Sequence, residues 1–198
     1  FKSANKFPKE QIKTLNIIFD NFSILLQAFL SGTLGTYCEV NVISVEEQTY
    51  YEFTNSFPSP VILAIIEMKP LEGLTLFEIS PATAYAILSR LFGGSGSESD
   101  TNRIFTEVDL TIIEKVIRQF VPLLNEAWAK IYKIDARLDR IETSSQFAQI
   151  VSNNETIAII TFSIKIDEVE GLCNFCIPHL TIEPIAKNLN TKYASAWV

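Results

Sequence analysis

The stretch that decides the fold is Phe7-Pro8-Lys9-Glu10-Gln11-Ile12, because Phe105-Thr106-Glu107-Val108-Asp109-Leu110 matches it 98 positions later. At that offset apolar residues keep falling on apolar residues; the pairs are Leu15/Ile113, Ile18/Val116, Phe19/Ile117, Phe22/Phe120, Leu25/Leu123 and Leu26/Leu124. Their spacing of three and four residues is typical of the apolar stripe of an amphipathic helix. Two long helices of one design are therefore predicted, over residues 9–31 and 107–131.

The same offset returns towards the end of each half. The matching pairs there are Gly73/Gly171, Leu74/Leu172, Phe77/Phe175, Ile79/Ile177, Ile87/Ile185 and Leu91/Leu189. Apolar periodicity alone lets any two helices align, but it does not explain two distant blocks that share one offset. The sequence therefore predicts an internal duplication, with half-repeats at about residues 7–92 and 105–190 linked by residues 93–104.

Each half reads as a long helix, four strands and a shorter helix. The strands are predicted at residues 37–45, 48–54, 61–69, 73–79, 134–142, 146–151, 155–165 and 169–177, and the shorter helices at 82–92 and 180–189. Hairpin-sized connections favour antiparallel pairing. The predicted fold class is α/β of the α+β type, a pseudo-two-fold duplication whose long, mainly antiparallel sheet carries helices on one face. We expect residues 1–198 to form a single domain.

Composition excludes two classes of partner. The chain has 16 Lys+Arg against 23 Asp+Glu and a net charge of −7. Non-specific binding to nucleic acid or anionic lipid is not expected, because both require a basic surface. The most apolar stretch, residues 12–30, is interrupted by Lys13, Asn16 and Asp20, so membrane insertion is not expected either. The chain does not begin with Met, and we expect it to be a fragment of a longer protein.

Residues that could carry catalysis or bind a metal are sparse. Cys173 and Cys176 form a Cys-x-x-Cys motif inside a predicted strand, where residues three apart point to opposite faces. Burial as small apolar side chains is the favoured interpretation, with metal binding or redox chemistry as the alternatives. The single histidine, His179, follows Pro178 at a predicted strand end, and no hydrolase or nucleotide-binding motif is present. No catalytic residue, metal or cofactor is expected.

The segment Leu91-Phe92-Gly93-Gly94-Ser95-Gly96 stands apart from the rest of the chain. One glycine is enough to end a helix, whereas three in four positions leave the backbone bare and open to close approach. The segment follows a helix, where carbonyl groups repel anions, so it is not a phosphate site. A protein-docking loop is the favoured interpretation, and a flexible linker is the alternative.

Several short motifs together carry a resemblance to a known family. They are Phe92-Gly93-Gly94-Ser95-Gly96, Asn102-Arg103, Thr106-Glu107, Gln146-Phe147, Ile150-Val151, Asn154-Glu155 and Glu183-Pro184. Over about residues 7–190 the chain resembles the middle domain of the flagellar motor switch protein FliM. That domain is similar to the chemotaxis phosphatases CheC and CheX and to FliY, which are pseudo-symmetric α/β proteins.

The resemblance implies a function and a set of partners. It implies a non-enzymatic domain of the switch complex, in the cytoplasmic ring of the flagellar basal body at the inner membrane, that couples the chemotaxis signal to rotation direction. FliG is the implied partner at a site formed by Leu91, Phe92, Gly93, Gly94, Ser95, Gly96 and Arg103. Neighbouring FliM copies would stand side by side. Phosphorylated CheY would bind mainly a segment before this domain, and FliN a C-terminal domain after it, both outside this chain.

A phosphatase of phosphorylated CheY is the alternative function. CheC-like enzymes, to which the chain is similar, use a Glu-x-x-Asn pair on a long helix. The two long predicted helices offer Lys13 before Asn16 and Glu114 before Ile117, so neither has the pair. Glu52-Phe53-Thr54-Asn55 fits the letters but falls in a predicted strand. This departure disfavours phosphatase activity. Small-molecule binding is a third possibility, although no convergent polar cluster suggests it.

Overall fold

The computed structural model describes residues 6–93 and 104–190, and within them it contains one antiparallel sheet and a set of helices. The strands are β1 (Cys38–Thr49), β2 (Ile62–Lys69), β3 (Leu74–Ile79), β4 (Asp135–Glu142), β5 (Thr156–Ile166) and β6 (Val169–Pro178). The helices are α1 (Lys9–Leu34), α2 (Tyr50–Asn55), α3 (Pro81–Leu91), α4 (Glu107–Phe120), α5 (Leu123–Trp128) and α6 (His179–Ile182), with 3₁₀ helices at Ser145–Phe147 and Glu183–Leu189.

The strand order of the sheet is β1-β5-β6-β3-β2-β4. Exchanging β1 with β4, β2 with β5 and β3 with β6 gives the same order in reverse. At the centre Phe77 of β3 pairs with Phe175 of β6, its equivalent 98 positions later, so the pseudo-two-fold axis passes beside this pair. The predicted pseudo-symmetric sheet is confirmed. The outermost strands are exchanged between the halves, because β1 pairs with β5 and β4 pairs with β2.

Helix α1 forms the centre of the main core. Its buried apolar stripe includes Leu15, Ile18, Phe19 and Phe22, each 0% exposed. The helix ends at Leu34, where Gly35 takes a left-handed conformation at φ +62° that a glycine adopts without strain. By length and composition α1 could cross a membrane, but these same apolar side chains pack against the sheet and the other helices, which accounts for them.

The second long helix is interrupted where one continuous helix over residues 107–131 was predicted. Thr106 caps α4, because its hydroxyl accepts the Asp109 N–H at 3.1 Å while the Asp109 carboxylate accepts the Thr106 N–H at 2.9 Å. The helix ends at Phe120 and α5 begins at Leu123. Pro122 lies between them, and a proline has no N–H to continue the helical hydrogen bonding.

Two predicted strands are wrong. Residues 48–54 do not form a separate strand, since β1 runs on to Thr49 and is followed by α2. Thr49 starts this helix because its hydroxyl accepts the Glu52 N–H at 3.2 Å. Residues 146–151 form no strand either; they hold part of a 3₁₀ helix and an irregular segment. The final helix is also broken, with non-helical angles at Ile185.

Residues 48–54 and 146–151 help to build a second, smaller core on the opposite face of the sheet. Tyr50 and Phe53 of α2 pack there with Ala148, against sheet residues such as Ile65 and Ile159. The Tyr50 hydroxyl donates a hydrogen bond to the Ala148 carbonyl at 2.6 Å, and these two residues are again 98 positions apart. Helices α1, α3 and α4 pack on the main face, as predicted, while the short α2 covers part of the other face.

Both outer strands of the described sheet are shielded by equivalent side chains of the helices. Gln27 of α1 accepts the Val40 N–H of β1 at 3.0 Å, and Asn125 of α5 accepts the Ala136 N–H of β4 at 2.8 Å. Gln27 and Asn125 are 98 positions apart. A sheet edge with free backbone groups can pair with another chain, so these amides protect both edges in the same way.

Candidate partner-binding site

The candidate site begins where α3 ends. Ser80 caps the start of α3 by accepting the Thr83 N–H at 3.3 Å. At the other end the Phe92 N–H donates to Leu88 O at 3.0 Å and the Gly93 N–H donates to Arg90 O at 3.2 Å. Gly93 has φ +86°, and a Cβ added there would meet no atom within 4 Å. The helix therefore ends in an open turn that favours glycine.

This turn presents apolar side chains to solvent. Phe92 is 62% exposed and Leu91 is 37% exposed, whereas Ile87 and Leu88 on the same helix are buried. We call Leu91, Phe92 and Gly93 the docking segment. In the second half the equivalents of Leu91 and Phe92 are Leu189, which is 0% exposed, and Asn190, which is polar. The first half thus exposes apolar surface where the second half buries it or replaces it.

The chain returns to the described region at Ile104, which is 84% exposed. The next residue, Phe105, is buried and stacks on Tyr85 of α3, with ring centroids 4.7 Å apart. Both described ends of the connector therefore lie beside α3. Ile104 was not among the site residues predicted from the sequence. The repeat contained a signal for it, because the equivalent residue 98 positions earlier is the charged Lys6, and the apolar side chain is therefore a difference between the halves.

The predicted site extends beyond the described residues. Gly94, Ser95, Gly96 and Arg103 lie outside the described residues. Leu91, Phe92 and Gly93 are described and exposed, and their role as a binding site stays a prediction.

Arg90 in the last turn of α3 is the second residue that sequence reasoning missed. Its guanidinium donates from Nε to Leu34 O at 3.2 Å and from Nη2 to Gly35 O at 2.9 Å. Its Nη1 lies 3.6 Å from Asp167 Oδ2 in the β5–β6 turn. The available signal was a basic residue in the last turn of a predicted helix, where helix carbonyls attract cations.

Neither long helix, α1 or α4, has a glutamate followed three positions later by an asparagine. In α1, Lys13 is exposed and the Asn16 side-chain amide donates to Asp20 Oδ2 at 3.1 Å. In α4, Glu114 Oε1 lies 3.5 Å from Arg118 Nη2. Ile117 of the same helix is buried in the core.

The Glu52 and Asn55 pair lies on a helix, contrary to its predicted strand. Both residues are exposed on α2. This helix has only six residues and packs on the smaller core, so it differs from the long helix that the resemblance implies for a phosphatase.

Cys173 and Cys176 of the Cys-x-x-Cys motif are buried in the two cores. Cys173 packs in the main core and Cys176 in the second core, so their sulfurs lie on opposite faces of the sheet as predicted. Burial raises the pKa of the Cys173 thiol to about 11. Within the described part of the chain no three His, Cys, Asp or Glu side chains are grouped to hold a metal ion.

Glu78 is the one deeply buried carboxylic acid on the second face of the described sheet. Burial raises its pKa, while a hydrogen bond from Asn174 Nδ2 to Glu78 Oε1 at 2.8 Å opposes the shift. Asn174 Oδ1 in turn accepts the Thr161 hydroxyl at 2.6 Å. These three residues lie on adjacent strands and satisfy one another, which makes them a structural network within the sheet.

The pseudo-two-fold sheet with its long helices on one face has the CheC-like fold. FliY from Thermotoga maritima has this fold, with a TM-score of 0.82 over 96% of this chain and 100% of that chain at 16% identity. The profile of the flagellar motor switch protein FliM matches residues 8–194. The chain belongs to the FliM family, which confirms the resemblance found in the sequence.

Individual relatives agree with this assignment. FliM of Borreliella burgdorferi is 43% identical over 194 residues, which cover 98% of this chain and 55% of that protein. FliM in the crystal structure of the FliG-FliM complex from H. pylori superposes with a TM-score of 0.87 at 33% identity, over 91% of this chain and 99% of that chain. The FliM middle domain from H. pylori gives a TM-score of 0.84 at 30% identity, over 91% and 99%. The chain spans about half the length of the curated relatives it matches.

Proposed function

We propose that this chain is a non-enzymatic assembly domain of the flagellar switch complex and that it binds FliG. The proposed site is the docking segment continued through Gly94, Ser95 and Gly96, with Arg103. The observation that carries the proposal is the 62% exposed Phe92 beside the left-handed Gly93, at the end of a helix whose middle, residues 83–88, is buried. It is supported by the H. pylori FliM, 33% identical, that was crystallised as a FliG-FliM complex.

The chemistry of the segment suits a small protein contact. Phe92 supplies an apolar anchor of the kind that dominates binding energy, and the adjoining glycine backbone allows a partner to approach closely. A loop and one helix end bury little surface, so the interface is expected below about 1,200 Å². Many such weak contacts around a ring would strengthen one another through their high effective concentration.

The remaining parts of the proposal concern the whole assembly. Neighbouring copies of the chain stand side by side in the cytoplasmic ring of the basal body, at the inner membrane. Phosphorylated CheY and FliN bind mainly outside this chain, to other segments of the parent protein. Binding of CheY biases how neighbouring units sit, and in this way the chemotaxis signal sets the direction of rotation.

The proposal treats the domain as non-enzymatic because α1 and α4 offer no Glu-x-x-Asn pair. A CheC-like phosphatase needs a carboxylate to position water. We expect that adding this chain to phosphorylated CheY leaves its rate of phosphate loss unchanged. Faster loss that disappears in Glu52→Gln would replace this part of the proposal with a phosphatase on α2.

The test of FliG binding is a titration of FliG with native chain and matched variants. Phe92→Ser is compared with Phe147→Ser, because Phe147 is an equally exposed aromatic residue at 63%, on the 3₁₀ helix Ser145–Phe147. Phe92→Ser is expected to weaken binding roughly tenfold to thirtyfold, since an aromatic contact contributes about 1.5–2 kcal/mol. Gly94→Glu is expected to abolish binding while thermal unfolding stays close to native.

The outcome with the control decides the interpretation. Native affinity in Phe147→Ser together with weak binding in Phe92→Ser supports the site. Unchanged affinity in both Phe92→Ser and Gly94→Glu removes the docking segment from the interface. Equal loss in Phe92→Ser and Phe147→Ser shows that the effect is not specific to the segment.

A further inference from the structure

The last turn of α3 is held in place by several contacts of one side chain, Arg90. Arg90 donates to two carbonyls of the α1 terminus, Leu34 O at 3.2 Å and Gly35 O at 2.9 Å. Its third nitrogen lies 3.6 Å from Asp167 Oδ2. The other oxygen of Asp167 accepts the Thr36 hydroxyl. One guanidinium therefore joins the ends of α1 and α3 to the β5–β6 turn.

The charges at this junction are complementary. The last carbonyls of a helix have no partner within the helix and carry partial negative charge. A guanidinium is planar and presents several N–H donors at once, so it can bind two carbonyls and a carboxylate together. The Arg90 and Asp167 side chains are 24% and 26% exposed, so solvent screens this ion pair less than one on the open surface.

The second half of the chain provides an internal comparison. The equivalent of Arg90, 98 positions later, is Asn188. Its side-chain amide donates one neutral hydrogen bond, to Ile131 O at 3.1 Å, at the corresponding end of the second long helical region. In the second half this side chain thus links the two helix ends through one hydrogen bond. Among the described residues, the additional carbonyl bond and the ion pair are made by Arg90 and have no counterpart at Asn188.

The backbone of Arg90 connects this anchor directly to the docking segment. Arg90 O accepts the Gly93 N–H at 3.2 Å, and Leu91 follows Arg90 in the chain. Fixing Arg90 therefore fixes where Leu91, Phe92 and Gly93 leave the fold. A segment that is ordered before binding loses less conformational entropy when the partner docks.

We propose that Arg90 is the positioning residue of the docking segment, tying it to α1 and the β5–β6 turn so that Phe92 is presented in one place. This inference rests on the proposed function. It adds that affinity depends on a side chain that need not contact the partner. It also adds that a displacement of the end of α1 is transmitted to the segment.

The test replaces Arg90 by residues that keep part of its contacts. Arg90→Gln leaves one neutral donor, which reproduces the arrangement of Asn188, and Arg90→Lys keeps the charge without the planar donors. Asn188→Ala is the matched control in the half without a docking segment. FliG affinity is measured by titration well below the unfolding temperature, and amide hydrogen exchange is measured at Phe92 and Gly93.

We expect Arg90→Gln to weaken FliG binding about tenfold, because ordering one or two released residues on binding costs about that factor. Exchange at the Phe92 and Gly93 amides is expected to rise in Arg90→Gln, with Arg90→Lys intermediate and Asn188→Ala like the native chain. Native affinity and native exchange in Arg90→Gln overturn the proposal. Equal loss of affinity in Asn188→Ala also overturns it, because the effect is then general destabilisation. If the native chain does not bind FliG, the proposed function fails, and the exchange rates alone decide whether Arg90 holds the segment.

Discussion

Replacing Gly171 of β6 with alanine is expected to destabilise the fold by roughly 2–4 kcal/mol, because this glycine lies directly against the start of α3. An added Cβ would collide with Thr83 Oγ1 and stand 2.5 Å from Ser80 Oγ. The contact has a counterpart in the other half, where a Cβ at Gly73 would stand 2.7 Å from Thr181 Oγ1. Gly73 of the first half therefore packs against α6 of the second half, and Gly171 of the second half packs against α3 of the first half.

The magnitude follows from what the two hydroxyl groups already do. Ser80 Oγ and Thr83 Oγ1 are 2.8 Å apart in a hydrogen bond, and Ser80 Oγ accepts the Thr83 N–H that caps α3. Displacing an N-cap costs about 1 kcal/mol. Forcing an extra methyl group into a packed site adds about 1–3 kcal/mol. For a chain of this size the melting temperature falls by on the order of 10 °C.

The assay is equilibrium urea unfolding of the native chain and two alanine variants. Gly32→Ala is the control, because a Cβ at this exposed position in α1 meets nothing within 4 Å. There the same substitution is expected to stabilise the protein by about 0.5–1 kcal/mol, since alanine favours the helix. The same glycine-to-alanine change is thus expected to lower the free energy of unfolding at position 171 and to raise it at position 32.

A double variant provides the refutation. If the collision is real, Gly171→Ala combined with Thr83→Ala loses less stability than the sum of the single variants, because the two sites are in contact. Strict additivity, or native stability in Gly171→Ala, shows that β6 does not approach α3 as closely as described.

Three further outcomes are expected. Burial raises the pKa of Glu78, so the folded state binds its proton more tightly than the unfolded state; this stabilisation is complete below the ordinary glutamate pKa and is lost as pH rises through the raised value. Glu78→Gln is therefore expected to raise the melting temperature near pH 8 by more than it does near pH 4, and an equal shift at both would contradict this reasoning. Tyr50→Phe is expected to cost about 1–3 kcal/mol in urea unfolding, because it leaves the buried Ala148 carbonyl without its donor, and a loss below the error of measurement would contradict it. The thiols of Cys38, Cys173 and Cys176 are buried. We therefore expect a thiol reagent to label the native chain slowly and to label three thiols per chain in denaturant. Rapid labelling of the native chain would restore the redox alternative.

The repeat offset was enough to predict that the sheet is pseudo-symmetric. Phe77 and Phe175 align in sequence and pair in space on either side of the pseudo-two-fold axis. The offset could not predict that the outer strands are exchanged, because β1 and β5 pair through contacts between residues more than a hundred positions apart. Apolar periodicity gives the face of each element but not its neighbour.

The errors lie where local hydrogen bonding overrides propensity. The run Gln48-Thr49-Tyr50-Tyr51 is rich in residues that favour strands, but the Thr49 cap and the burial of Tyr50 and Phe53 on one side produce a helix turn. Pro122 was a visible signal for the break between α4 and α5. The candidate site was predicted from its glycines. Arg90 was not predicted, because its contacts depend on where the end of α1 lies in space.

The pseudo-symmetry separates what the fold requires from what function adds. Equivalent positions that do the same work in both halves are structural; Gln27 with Asn125 shields the edge strands, and Gly73 with Gly171 lets the hairpins pack. Some equivalent positions instead hold the same type of residue in both halves but differ in burial. Leu189 is fully buried, whereas its equivalent Leu91 is 37% exposed, so the same leucine position serves the core in one half and the surface in the other. The fold alone does not require that exposure, because the second half is built without it. The departure from symmetry includes Leu91, Phe92 and the anchoring Arg90 together, and the proposed binding of FliG at this end of the molecule would account for all three.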